Sequence, residues 1–162
     1  MMSADHRISR RSDFSRTLKR GVRVSTRDLA ISVAVVPASW PDPAGRRRDV
    51  AMTGGPWLGL IVSKSVGNAV VRHAVARRLR AAFATVIELC PAPESFVVIR
   101  ALPGTAECST TDLATQLREA FGRRKISALR IENAAGSGSS TTDVLSTGSS
   151  TEVATSSGRV TG

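Results

Sequence analysis

Between Leu29 and Val35 the apolar residues Leu29, Ile31, Val33 and Val35 alternate with small or polar ones, and the same period of two returns at Leu58, Leu60 and Val62. A period of two predicts half-buried strands. FVVIRA at 96–101 is more continuously apolar and predicts a third, more buried strand, with a further short strand expected near 22–26. Elsewhere the period lengthens. Phe14 and Leu18 stand one turn apart within 12–20 and Gly21 follows as a stop, which predicts a short helix. Leu113, Leu117 and Phe121 share a face behind a capping-box pattern at Ser109 and Asp112, and Gly122 closes this last helix before Arg123, Arg124 and Lys125. The order of these elements implies a mixed α and β fold, a small sheet with helices packed on it.

Residues 67–80, GNAVVRHAVARRLR, combine a helical period with four arginines in nine positions. At 100° per residue, Val71, Val75, Leu79, Ala82 and Val86 fall within an arc of about 80°, while Arg72, His73, Arg77 and Arg80 cover about 140° beginning beside it. One side is core. The other is a cationic face that Lys64 extends, and Gly67 and Asn68 stand where a tight turn feeds a helix start whose N–H groups suit an anion. A charged face can also do no more than keep a surface wet, so the rest of the chain has to assign it.

The 162 residues carry 23 Lys+Arg against 13 Asp+Glu, a net charge of +10. Such an excess points to a polyanion, because each neutralised phosphate releases condensed counterions. After residue 130 the composition changes: of residues 131–162, 19 of 32 are Ser, Thr or Gly, and one arginine with three acids gives −2. The remaining +12 therefore sits in residues 1–130. A segment of that composition cannot bury enough apolar surface to order itself, so 131–162 is expected to be a disordered tail behind one folded domain at 1–130. Residues 37–56, with four prolines and three glycines around Arg46–Arg48, predict a long loop with a basic tip.

Several chemistries find no support. The acids are dispersed with no D-x-D pair for a two-metal nuclease, and neither zinc spacing, a P-loop nor G-x-G-x-x-G occurs. His6, in an N-terminus expected to be loose, and His73 do not make an acid–base pair. No apolar run approaches the roughly 18 residues of a membrane span, and the helix at 69–86 has mainly Val and Ala where a membrane-surface helix wants Trp, Phe or Leu. Cys90 and Cys108 form no CxxC, and the start MMSADHRISRRSDF lacks a signal peptide's apolar run. A cytoplasmic, monomeric protein with reduced thiols is expected.

VSKSVGNAVVRHAVARRLRAAF at 62–83 resembles the signature of the bacterial ribonuclease P protein component: a strand ending in Ser-Lys, a Gly-Asn-Ala turn, then a basic helix that opens Arg-Asn-Arg with a Lys shortly after. RISRRSDFSRTLKRGVRVSTRDLAISV at 7–33 resembles that family's N-terminal helix, glycine and first long strand, and SFVVIRALPG at 95–104 its last strand and turn. The chain departs from the pattern at His73 (Asn in the family), Ala74 (Arg) and Ala76 (Lys), and Leu18 stands where a second aromatic is common. The resemblance implies an α+β fold, the small α/β sandwich of the ribosomal protein S five domain two-like class, whose mostly antiparallel sheet has a left-handed βαβ crossover around the signature helix. It also implies a subunit without catalytic residues of its own, in an enzyme whose RNA, with bound Mg²⁺, removes the 5′ leader of precursor tRNA. Carried over by position, Lys64, Asn68, Arg72, His73, Arg77, Arg78 and Arg80 would contact the catalytic RNA or organise its metals. Phe14, Arg16 and Ser32 would line a leader cleft. No metal or cofactor is expected on the protein itself. A ribosomal protein or assembly factor would share the charge and the small α/β fold, but not this ordered set of blocks.

Overall fold

The computed structural model describes residues 6–36 and 55–136, with side chains as far as 132. The elements run α1 (Arg11–Arg20), β1 (Val22–Ser25), β2 (Leu29–Val35), β3 (Trp57–Val62), α2 (Ala69–Val86), β4 (Ser95–Ala101), α3 (Thr110–Gly122) and α4 (Arg124–Gly136). The sheet order is β1-β2-β4-β3. β2 pairs antiparallel with β1 and β4, whereas β3 pairs parallel with β4. A parallel pair needs a crossover, and α2 provides it, so the cationic helix is the middle of a βαβ unit in a mostly antiparallel sheet.

The sheet has two unequal faces. Leu29, Ile31 and Val33 of β2 and Val97, Ile99 and Ala101 of β4 alternate onto one face, where they meet Val75, Leu79 and Phe83 of α2 and Leu113, Leu117 and Phe121 of α3 in a single core. Helix α1 lies on the opposite face, against β2 and β4. It comes close: a β-carbon on Gly59 of β3 would lie 2.6 Å from Cε2 of Phe14. Glycine at 59 is thus what lets the Phe14 ring lie on the strand. Trp57 and Phe96 stack on this face with centroids 5.0 Å apart.

The Ser109 capping box forms as its sequence predicts: the hydroxyl accepts from the Asp112 amide at 3.1 Å and the carboxylate accepts from the Ser109 amide at 2.9 Å. Hydrogen bonds from the Ser109 hydroxyl and amide hold the Asp112 carboxyl below its ordinary pKa. The same helix carries Gln116, which ties α3 to the β1–β2 turn. Its amide nitrogen donates to Asp28 Oδ2 at 2.8 Å, and its oxygen accepts from the Asp28 amide at 3.0 Å and the Thr26 hydroxyl at 2.8 Å. Asp28 in turn holds the 103–107 turn, its carbonyl accepting from the Leu102 amide at 3.0 Å and the Thr105 hydroxyl at 2.7 Å.

Two expectations need correction. Gly122 and the basic run after it do not end the helical structure, because the chain passes through Arg123 in an extended conformation and a fourth helix follows. Buried Ile126, with partly buried Leu129 one turn on, anchors this helix near β1, and so short an apolar stripe behind a basic run gives a weak periodic signal. Helix α4 also crosses residue 130, where the sequence pattern divided domain from tail; 137–162 and the basic tip at 46–48 lie outside the described residues. Nor is the segment around His6 loose. Its Nδ1 donates to the Pro56 carbonyl at 3.1 Å and the Ile8 amide to the Leu58 carbonyl at 3.1 Å, which fastens 6–8 along the edge of β3.

Candidate nucleic-acid interface

A short 3-10 turn, Lys64–Val66, leaves β3 and delivers the chain to α2 through Gly67 at φ 153°. A side chain there would be strained, and its β-carbon would lie 2.9 Å from the Val71 side chain. Asn68 is then the N-cap, its side-chain oxygen accepting from the Val71 amide at 3.0 Å. The cap occupies that oxygen but leaves the side-chain amide and the first N–H groups of the helix at the surface, beside exposed Lys64.

Along α2, Val75, Leu79, Ala82, Phe83 and Val86 are buried, which fixes the rotation of the helix. His73 and Arg77 are exposed, while Arg72 and Arg80 are half-buried. The helix contains no acid, and no ion pair among the described residues involves it. Arg72 Nε is covered by protein and meets no acceptor among the described residues. Arg78 points elsewhere, and its terminal nitrogens donate to the Cys108 carbonyl and, at 3.0 Å, to the Ala106 carbonyl. It fastens α2 to the turn that Asp28 holds from the other side.

On the α1 face the predicted residues separate. Phe14 is half-buried over Gly59, and Arg16 has an Asp13 oxygen 3.7 Å away. Ser32 is only 3% exposed, so it lies beneath α1 and not on an open cleft wall. The accessible positions on its side of the sheet are others. Arg23 is paired with Ser32, and Arg100 with Ala30; both arginines are exposed. Alternation alone could have found Arg100, since it interrupts an apolar strand on the face opposite Ile99 and Ala101. Cys90 is buried and Cys108 is half-buried; burial pushes their thiols up to about 12 and about 11, with the Asp28 carboxylate adding to the shift at Cys108. Both shifts favour the protonated thiol at neutral pH. No group of three or more His, Cys, Asp or Glu that could hold a metal occurs among the described residues.

The profile of the ribonuclease P family matches residues 2–125. This chain belongs to the ribonuclease P protein family. A Corynebacterium urealyticum ribonuclease P protein component is 42% identical over 130 residues, covering 76% of this chain and 98% of its own. One from Nocardia farcinica is 45% identical over 134 residues, covering 78% and 83%. The fold agrees with the Staphylococcus aureus RNase P protein, at a TM-score of 0.55 and 21% identity over 75% of this chain and 96% of that one. The Thermotoga maritima RNase P protein gives 0.54 at 14% identity, covering 71% and 94%.

For a ribonuclease P protein the contact between Phe14 and Gly59 matters because it sets where α1 sits. A Gly59→Ala variant should shift the ring and cost about 1–3 kcal/mol, the usual range for overpacking. Thermal melting checks the stability, and leader-dependent binding of precursor tRNA should weaken while binding of the catalytic RNA holds. Equal losses on both RNAs would mean that α1 has no separate role.

Proposed function

We propose that this chain, as the protein component of ribonuclease P, holds the catalytic RNA on the outer face of α2 and the 5′ leader of precursor tRNA along α1 and the open part of the sheet. The observation that carries this reading is the acid-free cationic surface made by Lys64, the start of α2, Arg72, His73, Arg77 and Arg80, held in place by a buried apolar side. Arginine's planar fork suits phosphate oxygens, and a surface of this kind binds by charge more than by sequence. Ala74 and Ala76 reduce the charge of the face without changing its direction.

The leader side works differently. Phe14 offers one ring edge, and Arg16, Arg23 and Arg100 supply backbone charge, a combination suited to sequence-tolerant contact with a single strand. With aromatics at 4% of the chain and no tyrosine, charge dominates over stacking. Hydrolysis belongs to the RNA partner with its Mg²⁺. The protein contributes positioning and lowers the electrostatic cost of bringing two polyanions together in the cytoplasm, acting as a monomer.

Leader cleavage of a precursor tRNA by the cognate catalytic RNA at low Mg²⁺, with and without this protein and with the protein alone, tests the reading. The protein should raise cleavage severalfold or more, and the protein alone should cleave nothing. Unchanged cleavage at every Mg²⁺ concentration would sink the subunit assignment in favour of a structural RNA-binding protein.

A further inference from the structure

Away from the surfaces described so far, α3, α4 and the turn after α2 enclose a cleft of about 200 Å³. Leu89, Pro91, Phe121 and Ile126 form its apolar lining, and Arg118 and Arg130 stand at its sides. Leu89 is 42% exposed although it is a large apolar residue, so the cleft opens to solvent through an apolar lip. Both arginines are exposed, and neither has an acceptor or acid partner among the described residues. The site lies beyond the C-terminal end of α2, about 27 Å along the helix from the Asn68 end at 1.5 Å per residue.

We infer that this cleft is a second RNA site, taking one unstacked nucleotide with its ring against the apolar lining and its flanking phosphates on Arg118 and Arg130. It rests on the reading of the chain as an RNA-binding subunit. Three observations select this occupant. The volume falls below the roughly 300–1,000 Å³ of drug-sized sites, which suits a single ring. No acid lines the cleft, and near it Arg124 and Lys125 add further exposed charge. Of the nearby acids, Glu119 is occupied by Arg123 at 2.8 Å, while Glu88 and Glu132 are exposed outside the lining. Arginine side chains beside an apolar floor match how splayed bases are held, with the guanidinium plane available for stacking and its fork for phosphate.

The nucleotide can come from the catalytic RNA or from precursor tRNA, and the test separates them. Binding of the full chain to each RNA is measured across a salt series for three variants: Arg118→Ala with Arg130→Ala, Ser127→Trp, and Arg72→Ala with Arg77→Ala. Ser127 lines the cleft and its hydroxyl makes only long hydrogen bonds, 3.4 Å and 3.5 Å to the Gly122 and Phe121 carbonyls, so tryptophan there plugs the cavity while keeping both arginines. The arginine pair should weaken binding to one of the two RNAs about tenfold and lower the slope of log K against log salt by roughly 1.5. The plug should weaken the same RNA severalfold with the slope unchanged. If both cleft variants bind both RNAs as the parent does while the α2 variant fails, the cleft proposal is overturned and the α2 face stands. Loss from the arginine pair without loss from the plug also overturns it, since charge would then act without the cavity. If the α2 variant too binds undiminished, the subunit reading falls with it. Melting curves establish that each variant is folded.

Discussion

Replacing Arg72 and Arg77 together by alanine is expected to weaken binding of the catalytic RNA about thirtyfold, taking about 1 kcal/mol for each surface phosphate contact. The slope of log K against log salt should fall by roughly 1.5, because two fewer counterion-releasing contacts are made. Helix and core are left alone: Arg77 is exposed, Arg72 is half-buried, and the apolar side that fixes α2 lies elsewhere on the helix. The melting temperature should therefore move little, and the gain in leader cleavage at low Mg²⁺ should largely disappear. Arg78 provides the contrast within one turn of the same helix. Its guanidinium is engaged by the Ala106 and Cys108 carbonyls, so Arg78→Ala should cost about 1–2 kcal/mol of stability and leave the salt slope where it was. A salt slope that fell equally for Arg78→Ala would show that the inward clamp opens to reach RNA.

Phe83→Ala is expected to have the largest effect on stability. The ring is fully buried between α2 and α3 and meets Phe121 edge-on with centroids 6.5 Å apart. Removing a buried phenyl leaves a cavity as well as losing its transfer energy, about 3–5 kcal/mol in total. Against a domain stability of about 5–15 kcal/mol that is a large share, and the melting temperature should fall by about 10 °C or more. Loss of RNA binding should follow unfolding and not precede it, and saturating catalytic RNA should restore part of the melting temperature by mass action. A melting temperature within two or three degrees of the parent would show that the site collapses around the deletion, so that α3 does not hold the cationic helix in place.

The two arginines behave differently because a helix fixes only local directions. Residues 72, 77 and 80 could be placed on one side of α2 from their spacing, and the structure keeps Arg77 open and Arg72 and Arg80 half-covered there. Arg78 lies within the same stretch, but its direction was settled by the 103–107 turn, some thirty residues further along the chain. Asn68 was legible as the start of the helix, and only its geometry shows that the cap itself uses the side-chain oxygen. Ser32 was carried over by position from the family resemblance, and strand alternation says only which residues share a face. It does not say that α1 covers that face, so a residue expected on a cleft wall is 3% exposed while Arg23 and Arg100 remain open.

By itself the sequence determined what local periodicity and local chemistry can carry: strands over 29–35, 58–62 and 96–101, the helix start at Gly67 and Asn68, the capping box at Ser109, the buried and basic sides of α2, and the ordered blocks that place the chain in its family. These depend on residues within a few positions of one another, where spacing and capping have one solution. Only the tertiary structure decided the full strand order β1-β2-β4-β3, that Gly59 receives the Phe14 ring, and that Ile126 draws a fourth helix onto the sheet. Those outcomes depend on contacts between residues tens of positions apart, whose burial outweighs the local preference of any single segment.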